Sequence, residues 1–366
     1  MKNKEHRFPY NWTLKDAVFT KDKGTVFSCF ACGGGSTMGY KLAGFDVIGH
    51  NDIDKKMVEV YKENHNPKFS FLESITTFAK RKDLPKELYN LDILDGSPPC
   101  SSFSMAGNRE KDWGKEKVFR EGQAEQVLDT LFFDFIELAK ELQPKVVVAE
   151  NVKGLILGSA KAYVIRIHKA FKEAGYQLRI NPYLLNASKM GVPQRRERVF
   201  FVALRNDLAE PFMEQVDMFQ TAPKLKLDFN EPGVTYKDIY IDLKDRELTG
   251  KTIELWNNRQ ESDTGLSEAN GRLYNKSNNY FGWTYLKPEM IPPTIIANDT
   301  TIIYGEPRFL NKKELCRIGS YPTDYNFQKN KPHYLIGMSV PPVMTAQIAT
   351  EIYTQWLCKS QKRVDF

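Results

Sequence analysis

The chain has little that would tie it to a membrane or to an oxidising compartment. Its 366 residues contain no run of eighteen apolar residues, and the opening MKNKEHRFPYNW has no apolar segment of signal-peptide type. A membrane protein and a secreted protein are both disfavoured, and the expected location is the cytoplasm. Only five cysteines are present (Cys29, Cys32, Cys100, Cys316 and Cys358), too few for a disulfide framework in a chain of this length. Cys29 and Cys32 form a CxxC, but no second cysteine or histidine pair stands at metal spacing, which argues against zinc. Internal repeats and low-complexity tracts are missing as well. What is present is ordinary for a soluble globular protein: 41% hydrophobic and 27% charged residues, enough for one large domain and a smaller one. The net charge of +6 suits a polyanionic partner. Residues 211–290 hold ten Lys and Arg against thirteen Asp and Glu, net −3, so the rest of the chain carries +9.

Apolar runs bounded by glycine predict strands alternating with helices. Thr25 to Phe30 reads as a buried strand, followed by the glycine-rich turn A-C-G-G-G-S-T-M-G entering a helix. Phe45 to His50 is a second strand, after which N-D-I-D places Asp52 seventeen residues beyond Gly35. A strand, a glycine turn, a helix and an acid after the next strand suit a nucleoside-containing cofactor, because bare backbone approaches closely and a carboxylate accepts from ribose hydroxyls. Tight helix–strand packing also selects glycine, so the turn alone does not decide. Further strands are expected at Leu91 to Leu94, Lys145 to Val152, Leu178 to Leu185 and Arg198 to Leu204, with helices at Gln123 to Leu142 and Ala162 to Ala174. The fold class is therefore α/β: a Rossmann-like, mostly parallel sheet with helices on both faces and a small irregular domain. From about Pro211 the alternation is lost, and helical pattern returns at Asn311 to Ile318 and Val343 to Leu357. The division expected is 1–207 for the α/β domain with the cofactor turn, 208–325 for the small irregular domain with a variable region at 211–290, and 326–366 returning to the first.

The stretch D-I-L-D-G-S-P-P-C-S-S-F-S, from Asp92 to Ser104, ends a strand and presents Cys100 on a turn stiffened by Pro98 and Pro99. A cysteine in a tight loop is by default a small buried apolar group. Glu150 by itself reads as a helix-terminal charge, and Q-R-R-E-R, from Gln194 to Arg198, as a solvated face.

Taken together the motifs say more. F-A-C-G-G-G with G-Y-K-L-A-G-F, N-D-I-D, G-S-P-P-C-S-S-F-S, A-E-N-V, L-N-A-S-K-M-G-V-P-Q-R-R-E-R-V-F-F, P-P-T-I, R-F-L-N-K-K-E-L-C-R-I-G-S-Y-P and I-G-M-S-V-P-P occur in one order. In that order and spacing the chain resembles the DNA (cytosine-5) methyltransferases from about Thr25 to Tyr353, except in the variable region. The resemblance implies S-adenosylmethionine as methyl donor and a flipped cytosine in duplex DNA as acceptor. It makes Cys100 the nucleophile that adds to carbon 6, Glu150 the acid that holds N3 and the exocyclic amine, and Arg198, with Arg196 behind it, the grip on the base carbonyl and neighbouring phosphate. For the cofactor it implies Phe30, Gly34, Gly35, Asp52, Ile53, Pro98, Leu131, Ser339 and Val340. A positive sulfonium favours an electron-rich pocket, for which Asp95 is the candidate.

The chain departs from the family at Cys32, which stands for the first loop glycine, at Asp52 for a commoner glutamate, at Ser101 for glutamine, and at Met338 for asparagine. Asp129 and Thr130 stand near where an arginine–glycine pair is usual. Sequence reading of DNA is expected from the acid-free stretch Ala269 to Trp283, through Asn270, Arg272, Asn275, Lys276, Asn278 and Asn279, with Trp256 to Gln260 as a second candidate. Phosphate contacts are expected from Arg195, Arg196 and Lys189, and Ser102 is the candidate to fill the place of the flipped base. The expected partner is double-stranded DNA, with a cognate restriction endonuclease as a genetic partner and the chain a monomer. Methylation of transfer RNA, or a non-catalytic DNA-binding module, are the other readings. The first is disfavoured by the longer insert and the lack of a C-F-T signature, the second by intact Cys100, Glu150 and Arg198.

Overall fold

In strand β1 (Thr25–Cys29) every residue after the first is buried, as expected of a strand covered on both faces. The computed structural model describes residues 6–99, 130–216, 220–243, 245–276, 279–280 and 282–359. Chain order in the first part is β1, α1 (Gly35–Leu42), β2 (Asp46–Asp52), α2 (Lys55–His65), β3 (Phe69–Leu72), α3 (Ile75–Phe78), β4 (Ile93–Gly96), α4 (Leu131–Leu142), β5 (Val146–Val152), α5 (Lys161–Glu173), β6 (Tyr176–Gln177), β7 (Tyr183–Asn186) and β8 (Glu197–Arg205). The sheet runs β3-β2-β1-β4-β5-β8-β6, with β7 also on β8. Strands β1 to β5 pair in parallel, and β8 runs antiparallel to β5, β6 and β7. The order reverses between β1 and β4, so the carboxyl ends of those two strands flank the crevice where an open α/β sheet takes its ligand.

Two compact units divide the chain. The larger comprises Val18–Asn186, Glu197–Phe229 and Thr345–Phe366; the smaller comprises Met1–Ala17, Ala187–Arg196 and Asn230–Met344. This differs from the expected 1–207, 208–325 and 326–366: residues 187–196 and the first part of the expected return segment, 326–344, belong to the smaller unit. The larger unit's core joins Phe27, Leu94, Val147 and Phe201 of the sheet to Phe132, Phe135 and Ile136 of α4 and Phe171 of α5. Gly96 is required by that packing, since a Cβ there would lie 2.5 Å from the Phe135 ring. The larger unit also holds α6 (Asn206–Ala209) and the pair β9 (Met213–Gln215) and β10 (Thr221–Pro223). A π-helical turn, Tyr353–Leu357, lets Trp356 donate to the Lys224 carbonyl at 2.7 Å.

In the smaller unit follow α7 (Tyr236–Ile239), α8 (Gly250–Asn257), α9 (Leu266–Tyr274), β11 (Thr284–Leu286), β12 (Thr301–Ile303), α10 (Lys312–Ile318) and α11 (Pro332–Met338), then α12 (Pro342–Ile352), which runs across the division. The variable region is thus more regular than its texture suggests. Helices α8 and α9 close with the parallel pair β11–β12 over Leu248, Leu255, Leu266, Ala269, Tyr285 and Ile302. Helix α9 carries Asn270 and Gly271, both poor helix formers, and is held instead by burying Leu266, Ala269 and Asn270 at i, i+3 and i+4. Gly265 caps it, because any Cβ there would collide with the Trp283 carbonyl.

Candidate active site

The turn after β1 is held by its own strands. Ala31 N–H donates to Asn51 O at 3.3 Å and Gly34 N–H to Ala31 O at 2.8 Å. Cys32 N–H donates to the Asp52 carboxylate at 2.7 Å, and the other oxygen of that carboxylate accepts from Asp54 N–H at 2.8 Å. Asp52 therefore joins the end of β2 to the glycine turn through a charge-assisted bond. A carboxylate has about four acceptor positions, and these amides use two of them. Phe30, Cys32 and Gly34 all have positive φ, 52°, 48° and 88°. At Cys32 this explains why glycine is the usual residue: a left-handed conformation is strained for any side chain.

Beneath the turn lies an unforeseen cluster. A Cβ on Gly34 would fall 2.2 Å from Nε2 of His65, thirty-one residues away on α2. Lys41 donates to His65 Nδ1 at 3.4 Å, so Nε2 carries the proton and donates to the Gly33 backbone. Tyr61 lies between His65 and His50, stacked on His50 at 3.7 Å, and its hydroxyl meets Thr37 at 2.9 Å. Burial holds His65 well below the usual histidine range and lowers His50 to about 3, so both rings are neutral.

At the end of β4, Pro98 is buried and its carbonyl accepts from Asn151 Nδ2 at 3.1 Å. Asn151 was not singled out from the sequence, although it stands in E-N-V. It pins the loop that leads to Cys100 onto the end of β5. Cys100 and Ser102 themselves, like Asn278, lie outside the described residues.

Glu150 and Arg198 meet by register. Glu150 faces Phe200 across the antiparallel β5–β8 pair, so Arg198, two residues before Phe200, lies diagonally opposite on the same face. Arg198 Nε reaches Glu150 Oε1 at 3.0 Å with both side chains largely buried. Burial lowers the Arg198 guanidinium from its ordinary value, opposed by the Glu150 charge and hydrogen bond. Leu131 is buried at the start of α4, and Phe30 packs edge-on against Phe135. Ile53 is half-buried beside Asp52. The turn after β3 reaches the same sheet edge, since Glu73 N–H donates to Asp52 O and its carbonyl accepts from Asn51 Nδ2. No expectation from the sequence covered it.

Several expected contacts take a different form in the smaller unit. Arg196 is 1% exposed and donates to the carbonyls of Ile295 at 3.0 Å, Gly337 at 2.8 Å and Ser339 at 2.9 Å. Its guanidinium is committed to main chain, which makes it a positioning residue in place of a grip on base or phosphate. Gln194 works beside it, accepting from Ile295 N–H and donating to Ile318 O. The Ser339 hydroxyl donates to Leu335 O at 2.8 Å, closing α11, and Val340 is buried. Arg272 grips Asp263 with two bonds of 2.7 Å and Asn258 O at 3.0 Å, so it braces α9 instead of offering itself to a base. Asn270 is fully buried with its amide on Lys276 O, and Asn275 caps α9 at φ 55°. The side chains of Asn275, Lys276, Arg195 and Lys189 are exposed.

The strand order, the switch between β1 and β4 and the antiparallel β8 define the Rossmann-like methyltransferase fold. A Spodoptera frugiperda DNMT2 mutant shares it with a TM-score of 0.62 at 17% identity, over 90% of this chain and 99% of that one, a likeness of fold alone. The family is given by residues 24–354, which match the C-5 cytosine-specific DNA methylases, and the chain belongs to them; it is a DNA cytosine-5 methyltransferase. It is 30% identical to the type II methyltransferase M.FnuDI of Fusobacterium nucleatum, over 89% of this chain and 93% of that one. The figures are 28%, 89% and 94% for M.NgoPII of Neisseria gonorrhoeae, and 27%, 81% and 83% for M.HhaI of Haemophilus parahaemolyticus. Among the described residues no helix is long and apolar enough to cross a membrane.

Proposed function

We propose that the chain methylates cytosine within one specific duplex sequence, as the modification half of a restriction system or as a solitary methylase, with S-adenosylmethionine as donor and Cys100 as nucleophile. The observation that carries this reading is the pairing of Glu150 with Arg198 one residue before Asn151, which holds the loop to Cys100. The type II names of the relatives support the restriction setting. A monomer acting in the cytoplasm is part of the same reading.

The cofactor fits the turn. Amides 31, 32 and 34 are spent on protein acceptors, so the turn is no phosphate nest, and S-adenosylmethionine carries no phosphate. Glycine at 34 lets the turn close onto the His65 ring, which already takes the space a side chain would need. The residues of the larger unit that would hold the cofactor are Phe30, Gly34, Gly35, Asp52, Ile53, Pro98 and Leu131. When bound it supplies an electrophilic methyl group on a sulfonium.

The protein's part follows from cytosine chemistry. The Cys100 thiolate forms a bond to carbon 6, and the ring electrons move toward carbon 5 and N3. Glu150 holds N3 and the exocyclic amine, stabilising that shift, and Arg198 fixes the glutamate while reaching the carbonyl at position 2. Once carbon 5 carries the methyl group, loss of its proton lets the carbon–sulfur bond break and returns the thiolate. Lys276 and Asn275 at the end of α9 would face DNA, with Arg195 and Lys189 on phosphates. Duplex DNA bearing 5-fluorocytosine at the target tests the mechanism, because fluorine does not leave as a proton: the wild type should give a gel-stable adduct and Cys100→Ser none. An adduct retained by Cys100→Ser would overturn it.

A further inference from the structure

Asp95 is the third residue of β4, paired with Ser28 of β1 and Val148 of β5, directly at the switch in strand order. It is 3% exposed. Its carboxylate accepts from Ser28 Oγ at 2.8 Å, from the Tyr40 hydroxyl at 3.1 Å and from Ser36. Ser36 and Tyr40 stand at i and i+4 of α1, the helix that leaves the glycine turn, so one helix face directs two hydroxyls at one acid. What the acid does not have, among the described residues, is a cation. The ionisable groups around it are the Cys29 thiol, the Tyr40 and Tyr61 phenols and Glu150, and those phenols and the thiol are pushed up in part by the Asp95 charge itself. Glu150 adds like charge and is already paired with Arg198. A buried carboxylate with neutral donors alone is costly, and asparagine would fit the same hydroxyls without that cost.

We infer that the Asp95 carboxylate is the counter-charge of the cofactor's sulfonium and makes the protein distinguish the charged methyl donor from its neutral demethylated product, S-adenosylhomocysteine. The inference rests on S-adenosylmethionine occupying the glycine-turn site. Burial raises Asp95 to about 6, so without cofactor it is largely protonated in mild acid. A bound sulfonium favours the ionised form and expels the proton; the thioether of the product has no charge with which to do so.

The test is calorimetric and needs no turnover. Titrating the wild-type chain with S-adenosylmethionine between about pH 5 and pH 7, below the amino group's own titration, should show roughly tenfold tightening. Near pH 6 about half a proton should be released, read from buffers of different ionisation enthalpy. S-adenosylhomocysteine should show neither effect, and its profile corrects for the neighbouring histidines. Asp95→Asn should weaken the donor, flatten its pH profile and leave the product's affinity within about twofold. Equal slopes for both ligands, or a wild-type slope in Asp95→Asn, would overturn the inference. If Asp95→Asn does not fold, proton release by the wild type decides alone. Absence of binding by either ligand to the wild type would instead overturn the cofactor reading, and this inference with it.

Discussion

Acid should unfold this protein through the two histidines beneath its glycine turn. His50 and His65 are both buried and neutral, with His50 lowered to about 3. An unfolded histidine titrates near 6.5, so below that pH the unfolded chain binds protons that the folded one refuses, and stability falls as pH falls. At pH 5 the deficit is about 1.5 units for each ring, or roughly 2 kcal/mol each. Asp95 acts in the opposite sense. Its folded value, about 6, lies above the ordinary carboxylate value of 3.8, so the folded state gains a proton first and stability rises on acidification through that window. At pH 5 that gain is roughly 1 kcal/mol, which offsets one ring only in part. These three groups together give a loss of about 2–3 kcal/mol between about pH 8 and pH 5, to which the lowered His333 and His168 add, a large part of a typical folding free energy of about 5–15 kcal/mol. Urea unfolding followed by far-ultraviolet circular dichroism, without cofactor, measures it. His65→Gln retains a donor for the Gly33 backbone and, combined with His50→Gln, should remove most of the loss, leaving the part due to His333, lowered to about 4, and His168, also lowered by burial. A wild-type midpoint unchanged between those pH values, or a double variant as acid-sensitive as the wild type, would refute the argument.

Three substitutions probe the rest. Gly34→Ala meets both a φ of 88° and the His65 ring, and should cost at least about 1–3 kcal/mol in a thermal melt while removing cofactor binding measured by calorimetry. Cys32→Gly relieves a left-handed side chain at φ 48° and should gain about 0.5 kcal/mol after glycine's added unfolded entropy, with Asp52 still accepting from residue 32. Arg272→Ala strands the buried Asp263 carboxylate, with Gln260 N–H as a remaining donor, and should cost about 1–3 kcal/mol in the melt. Lys276→Ala should leave stability unchanged and reduce the salt slope of DNA binding by about 1; the reverse pattern would return base reading to Arg272.

How much of the site could be read from the sequence depended on whether each contact was local. The strands β1 and β5 announce themselves as apolar runs ended by glycine or by charge, and the turn from Ala31 to Gly35 is visible because glycines cluster only where backbone must bend or be approached. Helix α9 was hidden for the converse reason. Asn270 and Gly271 give a turn's composition to a segment whose helicity comes from burial against Leu255 and Tyr285, partners that no local window contains.

The two arginines of Q-R-R-E-R show the same limit more sharply. Arg196 and Arg198 have like side chains two positions apart, and composition cannot separate them. Arg198 lies inside β8, where the antiparallel register sets it diagonally across from Glu150, so two geometric facts, the pleat and the pairing, assign it to the acid. Arg196 precedes the strand, and its guanidinium closes on carbonyls about 100 to 140 residues ahead, at Ile295, Gly337 and Ser339. Removing it should therefore unsettle the smaller unit before it affects any base contact, whereas Arg198→Lys, which keeps the charge and loses the Nε bond, should reduce methyl transfer with little loss of fold. Charge was readable at both positions. Its use is decided by which main chain lies within reach, and that is a property of the fold.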